Sequence, residues 1–223
     1  MEKNFSKSHL GVIVMLGAVW GLSEAALGMG LRTCASVVSG SVMTGVALFF
    51  IAACWAVSQS LSAVILLVVI ASLFKMFDAF LLSLPFLHGA VANPIFAFFM
   101  EAIAFIVIIS IIKGPLLKKT SGQAAAGGLA ALMAVNLFPL VKYATGIPAC
   151  VVAGTGYPLS LYYAYVAVAF SMATVPLGLW AGEKIRSMET GLASAIGMKR
   201  LKAIASPAAV ILCLAIISLI RLI

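Results

Sequence analysis

Seven long, predominantly apolar stretches constrain this chain more than any other feature. They fall at about residues 10–30, 37–57, 60–84, 93–113, 124–144, 157–182 and 204–221. About 20 apolar residues cross the hydrocarbon of a bilayer as a helix. In lipid each segment must satisfy its own backbone hydrogen bonds, which makes spanning segments of this kind helical. The sequence therefore predicts an all-α polytopic membrane bundle of six or seven transmembrane helices. The count depends on the last segment, which is short for a span and fits a re-entrant or interfacial element as well. Apolar residues make up 64% of the 223 and charged residues 9%, against about 45–50% and 25% in soluble domains. That leaves no stretch for a soluble domain, so residues 1–223 read as a single integral membrane domain. The apolar run after the polar opening MEKNFSKSHL exceeds a signal-peptide core and reads as the first helix.

The net charge of +8 has a distribution that sets orientation. Lys3, Lys7, Lys113, Lys118, Lys119, Lys184, Arg186, Lys199, Arg200 and Lys202 all fall on one side if the N-terminus is cytoplasmic, as the positive-inside bias requires. The opposite side keeps Arg32, Arg221 and, near a helix end, Lys142. The mixed apolar and basic segment at about 183–203 is expected to lie along the cytoplasmic surface. No basic patch interleaves with aromatic residues as single-stranded nucleic acid requires, so nucleic acid is not an expected partner; membrane lipid is.

On this topology the intramembrane ionisable groups share the outer half of the bundle. Glu24 lies past the middle of the first span, Lys75 and Asp78 past the middle of the third, and Glu101 about two turns into the fourth. An ionised group at membrane depth costs several kcal/mol unless paired or wetted. Helical periodicity puts Gly17, Gly21, Glu24 and Gly28 on one stripe with Trp20 beside it, and Asn93, Ala97, Glu101 and Ala104 on one face. Lys75 and Asp78 are spaced to pair within their helix. Asn136 and Lys142 lie towards the outer end of the fifth span, and Tyr157, Tyr162, Tyr163 and Tyr165 in the first turns of the sixth. A polar pocket opening outward, a purely structural set of neutralising pairs, and a contact surface for another membrane subunit each account for these groups. An interfacial aromatic belt accounts for the tyrosines as well as a binding site does. In the pocket reading Glu24, Lys75, Asp78, Glu101 and Asn136 line the site, with Trp20 and Tyr162 as stacking surfaces for a small-molecule ligand.

His88, in an outer loop, fits a divalent metal site with Asp78 and Glu101 or simple solvation, and the simpler reading is preferred, so no metal or other cofactor is expected. No HExxH, Walker or GxSxG motif is present, so the chain is not expected to be an enzyme, and uphill transport would draw energy from a partner or an ion gradient. Cys34 and Cys150 fall in outer loops, where an oxidising exterior permits a disulfide; Cys54 and Cys213 read as small apolar helix residues.

The segments GAVWGLSEAALG at 17–28 and NPIFAFFMEAIAF at 93–105 resemble small bacterial membrane proteins related to the substrate-binding S components of energy-coupling factor (ECF) transporters. The resemblance covers roughly residues 10–110. It implies a multi-pass protein of the bacterial cytoplasmic (inner) membrane that binds a vitamin-like compound or metal ion from outside. It also implies docking, through small residues of the first helix, to a membrane coupling subunit that links to ATPases. The matching docking residues are Gly17, Gly21 and Ala25. A seventh helix departs from that family, and no vitamin-specific binding motif is matched. The extra helix leaves open a second class: an accessory subunit of a larger redox or energy-converting complex, using the acids for proton transfer or subunit contact.

Overall fold

A computed structural model describes residues 9–34, 38–112, 114–192 and 196–222. Its helices are α1 (Leu10–Cys34), α2 (Ser39–Ser58), α3 (Leu61–Leu81), α4 (Gly89–Ile111), α5 (Thr120–Leu137), the short α6 (Val141–Thr145) and α7 (Leu159–Tyr162), then α8 (Ala164–Leu192) and α9 (Ile196–Leu222). Among the described residues, seven segments are long and apolar enough to cross a membrane: α1, α2, α3, α4, α5 continued through α6, α8 and α9. The protein is an all-α, multi-pass membrane bundle, and the stretch at 205–222 is as long and apolar as a span needs.

Successive spans alternate in direction. One end of the bundle, here called distal, carries the α3–α4 turn and the loop from Gly146 to Pro158. The other, proximal end carries the α2–α3 junction and the turn from Gly114 to Lys118. The α2–α3 junction is tight because Gln59 adopts a left-handed conformation (φ 50°) and its N–H closes on the Trp55 carbonyl at 2.8 Å.

Several elements differ from their expected limits: α5 begins at Thr120 rather than 124 and α9 at Ile196 rather than 204, and two further shifts bear on the site. The fourth helix begins at Gly89 rather than 93, because the His88 ring accepts a hydrogen bond from the Ala90 N–H at 3.2 Å and caps the helix. Pro94 is thereby carried inside the helix. The sixth span begins at Ala164, after the separate turn of α7, and runs unbroken to Leu192. Residues 183–192 thus prolong a spanning helix, and 193–195 lie outside the described residues.

Small residues let the helices approach backbone to backbone, which drives packing where the hydrophobic effect cannot. Gly178 and Gly182 of α8 sit against the Phe49 and Ala53 carbonyls of α2. Thr174 Oγ1 donates to the Gly45 carbonyl across the same interface at 2.7 Å. Gly127 of α5 meets Ser171 of α8. The main core joins α1 to α5 and α8 around Trp20, Leu48, Ile51, Leu67 and Phe105, all essentially inaccessible. A second, smaller core joins α1, α3 and α9 through Ala18, Ala25, Phe74, Cys213 and Ile217.

This second core disposes of the stripe expected to dock a coupling subunit. A methyl group at Gly17 would stand 2.7 Å from Ile70 of α3, and one at Gly21 would collide with Phe74. Ala25 is 1% exposed beneath α9. The chain's own third and last spans therefore occupy this face. Small residues invite close approach by any helix, and here the seventh span supplies one.

Candidate functional site

At the distal end, α1, α2, α4 and α5 diverge around a cavity of about 420 Å³, roofed by Cys150, Leu159, Ser160 and Tyr163 from the loop and the α7–α8 junction. The size suits a small organic ligand. Asn93, Ala97 and Glu101 of α4 line it on a single face, four residues apart, and Glu24 of α1 faces them. The first turns of α2 contribute Ser41, Met43 and Thr44, α5 contributes Ala134 and Val135, and Phe138 follows just past its end.

Both carboxyl groups are deeply buried, Glu24 at 3% and Glu101 at 4% exposure. Glu101 Oε2 and Asn93 Oδ1 have no hydrogen-bond partner. Unsatisfied buried polar atoms are rare and each costs about 1–3 kcal/mol. Here two of them converge on one space. Three hydroxyls around it donate to backbone carbonyls: Ser41 to that of Tyr163 at 3.0 Å, Thr44 to that of Gly40 at 3.1 Å and Ser160 to that of Val135 at 3.2 Å. The first and third of these bonds also tie the α7–α8 junction to α2 and α5, which fixes the roof.

The structure divides the residues expected to form the site. Glu24 and Glu101 lie in the cavity wall. Trp20 is fully buried one turn before Glu24, stacked 6.3 Å from Phe50 and tilted against Phe98 at 4.8 Å. Phe98 itself lines the cavity, so Trp20 backs the wall rather than facing a ligand.

Lys75 and Asp78 stand apart from the cavity. Arg221 of α9 grips Asp78 with both Nε and Nη2, the latter at 3.0 Å, while Lys75 Nζ lies 3.4 Å from the same carboxylate. Arg221 Nη2 also reaches the Ala25 carbonyl at 3.5 Å. The Asp78 carboxylate is thus consumed by a buried triad that fastens α9 to α3 and α1. Asn136 is exposed, its amide folded back on the Leu132 carbonyl at 2.7 Å. Tyr162 is 52% exposed and packs edge-on against Tyr163. The residue that enters the cavity wall is its neighbour, because one step along a helical turn rotates a side chain by about 100°.

Sequence reasoning missed Ser41, Thr44, Ser160 and Tyr163 in the wall, and Arg221 as the counter-ion of Asp78. The SGS run at the start of α2 and the outer placement of Arg221 were the available signals. His88 serves as a helix cap, and no group of three metal-ligating side chains occurs among the described residues. Cys150 is an exposed thiol at the cavity rim; the side chain of Cys34, its suggested disulfide partner, lies outside the described residues. On the proximal side, His9 Nδ1 and Glu189 Oε2 lie 2.8 Å apart and join the start of α1 to the end of α8.

Comparison with known proteins returned no matching family model, no matching curated protein and no matching solved structure.

Proposed function

We propose that this protein is a membrane-embedded binding component that captures a small polar solute at its distal, outward-facing end for uptake across the cytoplasmic membrane. The observation that carries the reading is the unpartnered Glu101 carboxyl oxygen, buried in the wall of a ligand-sized cavity beside Glu24 and Asn93. A structural charge would be expected to have its counter-ion in place, as Asp78 has. Groups left open at a preformed cavity are supplied with partners by a ligand. The resemblance of residues 17–28 and 93–105 to S components supports uptake as the purpose of binding. Energy would come from a separate partner or an ion gradient.

Coupling to a partner through Gly17, Gly21 and Ala25 is not part of this proposal, because α3 and α9 cover them. A coupling subunit would meet a different face. Gentle detergent purification of the native protein, with mass spectrometry of retained proteins and small molecules, tests the reading. A retained solute that Glu101→Gln releases supports it. Redox subunits in place of any solute would favour the accessory-subunit reading.

A further inference from the structure

We infer that the cavity takes a small organic cation whose N–H groups dock between Glu24 and Glu101. The inference rests on the binding-component reading and adds the ligand's chemical class.

The charged groups of the wall are carboxyls, and acceptors outnumber donors around them; the Asn93 amide and the Tyr163 phenol also reach the lining and can donate. Glu24 and Glu101 present carboxyl oxygens, and Glu101 Oε2 is unpartnered. Ser41 and Ser160 have each spent their single hydroxyl proton on a backbone carbonyl, which leaves only lone pairs for a guest; Thr44, bonded to the Gly40 carbonyl, stands beside Glu101. No lysine, arginine or histidine lines the cavity. The described cations nearest in sequence terms are engaged or turned away: Lys75 and Arg221 hold Asp78, and Lys142 is exposed beside the Tyr143 ring. Two carboxyl groups in a low-dielectric space, with no cation among the lining residues, are matched by a guest that brings N–H donors and a positive charge.

The rest of the wall argues for an organic cation over a bare metal ion. Phe98, Phe138, Met43 and Val135 enclose much of the space, and aromatic faces attract desolvated organic cations. The wall offers a hard cation two carboxyls and otherwise only neutral oxygens, and no group of three metal-ligating side chains occurs among the described residues. A cavity of 420 Å³ also exceeds what an ion needs.

The test uses the full chain in nanodiscs and three indole probes matched in shape: tryptamine (cationic), tryptophol (neutral) and indole-3-acetate (anionic). Cys150 sits on the rim, so an occupant shields it. Protection of Cys150 from maleimide, with Cys34 replaced by Ser, is read beside thermal unfolding. Tryptamine at about 10 mM is expected to slow labelling about fivefold or more and to raise the unfolding temperature, with the neutral and anionic probes clearly weaker. Glu101→Gln and Glu24→Gln should each abolish the preference for the cation, while Glu101→Asp keeps part of it; unfolding curves identify any variant that has lost its fold. Equal or better protection by indole-3-acetate overturns the charge class and leaves the binding-component reading standing. No protection by tryptamine overturns the inference. The fate of the broader reading is then decided separately, by whether the native protein retains a neutral or anionic solute on purification.

Discussion

Replacing Arg221 with methionine removes the guanidinium that grips Asp78 while keeping most of the side-chain volume. Two charge-assisted hydrogen bonds are lost, Nε to Oδ1 and Nη2 to Oδ2. Bonds of this type contribute about 1.5–3 kcal/mol each in soluble proteins, a gross loss of about 3–6 kcal/mol. Two effects reduce it. Lys75 remains 3.4 Å from the carboxylate and takes over part of the compensation. Polar contacts between membrane helices also measure nearer 0.6–1.7 kcal/mol, roughly, because the unfolded chain in lipid finds other partners. A net cost of about 2 kcal/mol follows, concentrated on the seating of α9. Cys213 reads that seating directly, since it is 5% exposed between α9 and the α1–α3 face. In a background with Cys34 and Cys150 replaced by Ser, Arg221→Met should speed the labelling of Cys213 by a membrane-permeant maleimide about 30-fold, if labelling proceeds through helix release. Adding Asp78→Leu should reverse most of the effect, because removing both charges removes the stranded carboxylate. Unchanged Cys213 labelling in Arg221→Met would refute the claim that the triad holds α9 in place.

Other consequences are equally specific. Gly182→Val places a branched side chain against the Ala53 carbonyl of α2 and should cost about 2–4 kcal/mol in SDS-induced unfolding. Gly40→Ala meets nothing within 4 Å and should leave the same unfolding curve nearly unmoved. Asn136→Ala and Tyr162→Ala change exposed side chains outside the cavity and should leave solute retention as in the parent protein; loss of retention in either would place that residue at the site after all. Ser41→Ala removes the bond to the Tyr163 carbonyl, so it should loosen the roof and speed Cys150 labelling severalfold without a large change in unfolding, about 1 kcal/mol or less.

Position along the bundle axis was legible in the sequence; azimuth and long-range pairing were less so. Glu24 and Glu101 stood out because charged groups are rare in apolar runs, and the four-residue spacing of Asn93, Ala97 and Glu101 assigned them to one face. The phase of the sixth span could not be read, because the break at Tyr163 between α7 and α8 resets the register and exchanges Tyr162 for Tyr163. Asn136 lies at the expected height but turns outward. The alanines and glycines of α5 are small on every side and mark no preferred face. The stripe of Gly17, Gly21 and Ala25 was correctly a packing face, yet small residues specify closeness and leave the neighbour unnamed. Arg221 and Asp78 are 143 residues apart, a separation no local pattern can bridge.

The triad also bears on the order in which the membrane receives this protein. Arg221 stands at the distal end of α9, so with the proximal end cytoplasmic its guanidinium would have to traverse the hydrocarbon as that helix enters. Carrying an arginine to the middle of a bilayer costs about 2.5–3.5 kcal/mol on insertion scales. Asp78, synthesised much earlier, already waits on α3 with Lys75 beside it. With the proximal end cytoplasmic, the first three spans would offer the seventh a counter-charge as it inserts, and a chain carrying Asp78→Leu alone should leave a larger fraction of α9 untranslocated at the insertion machinery.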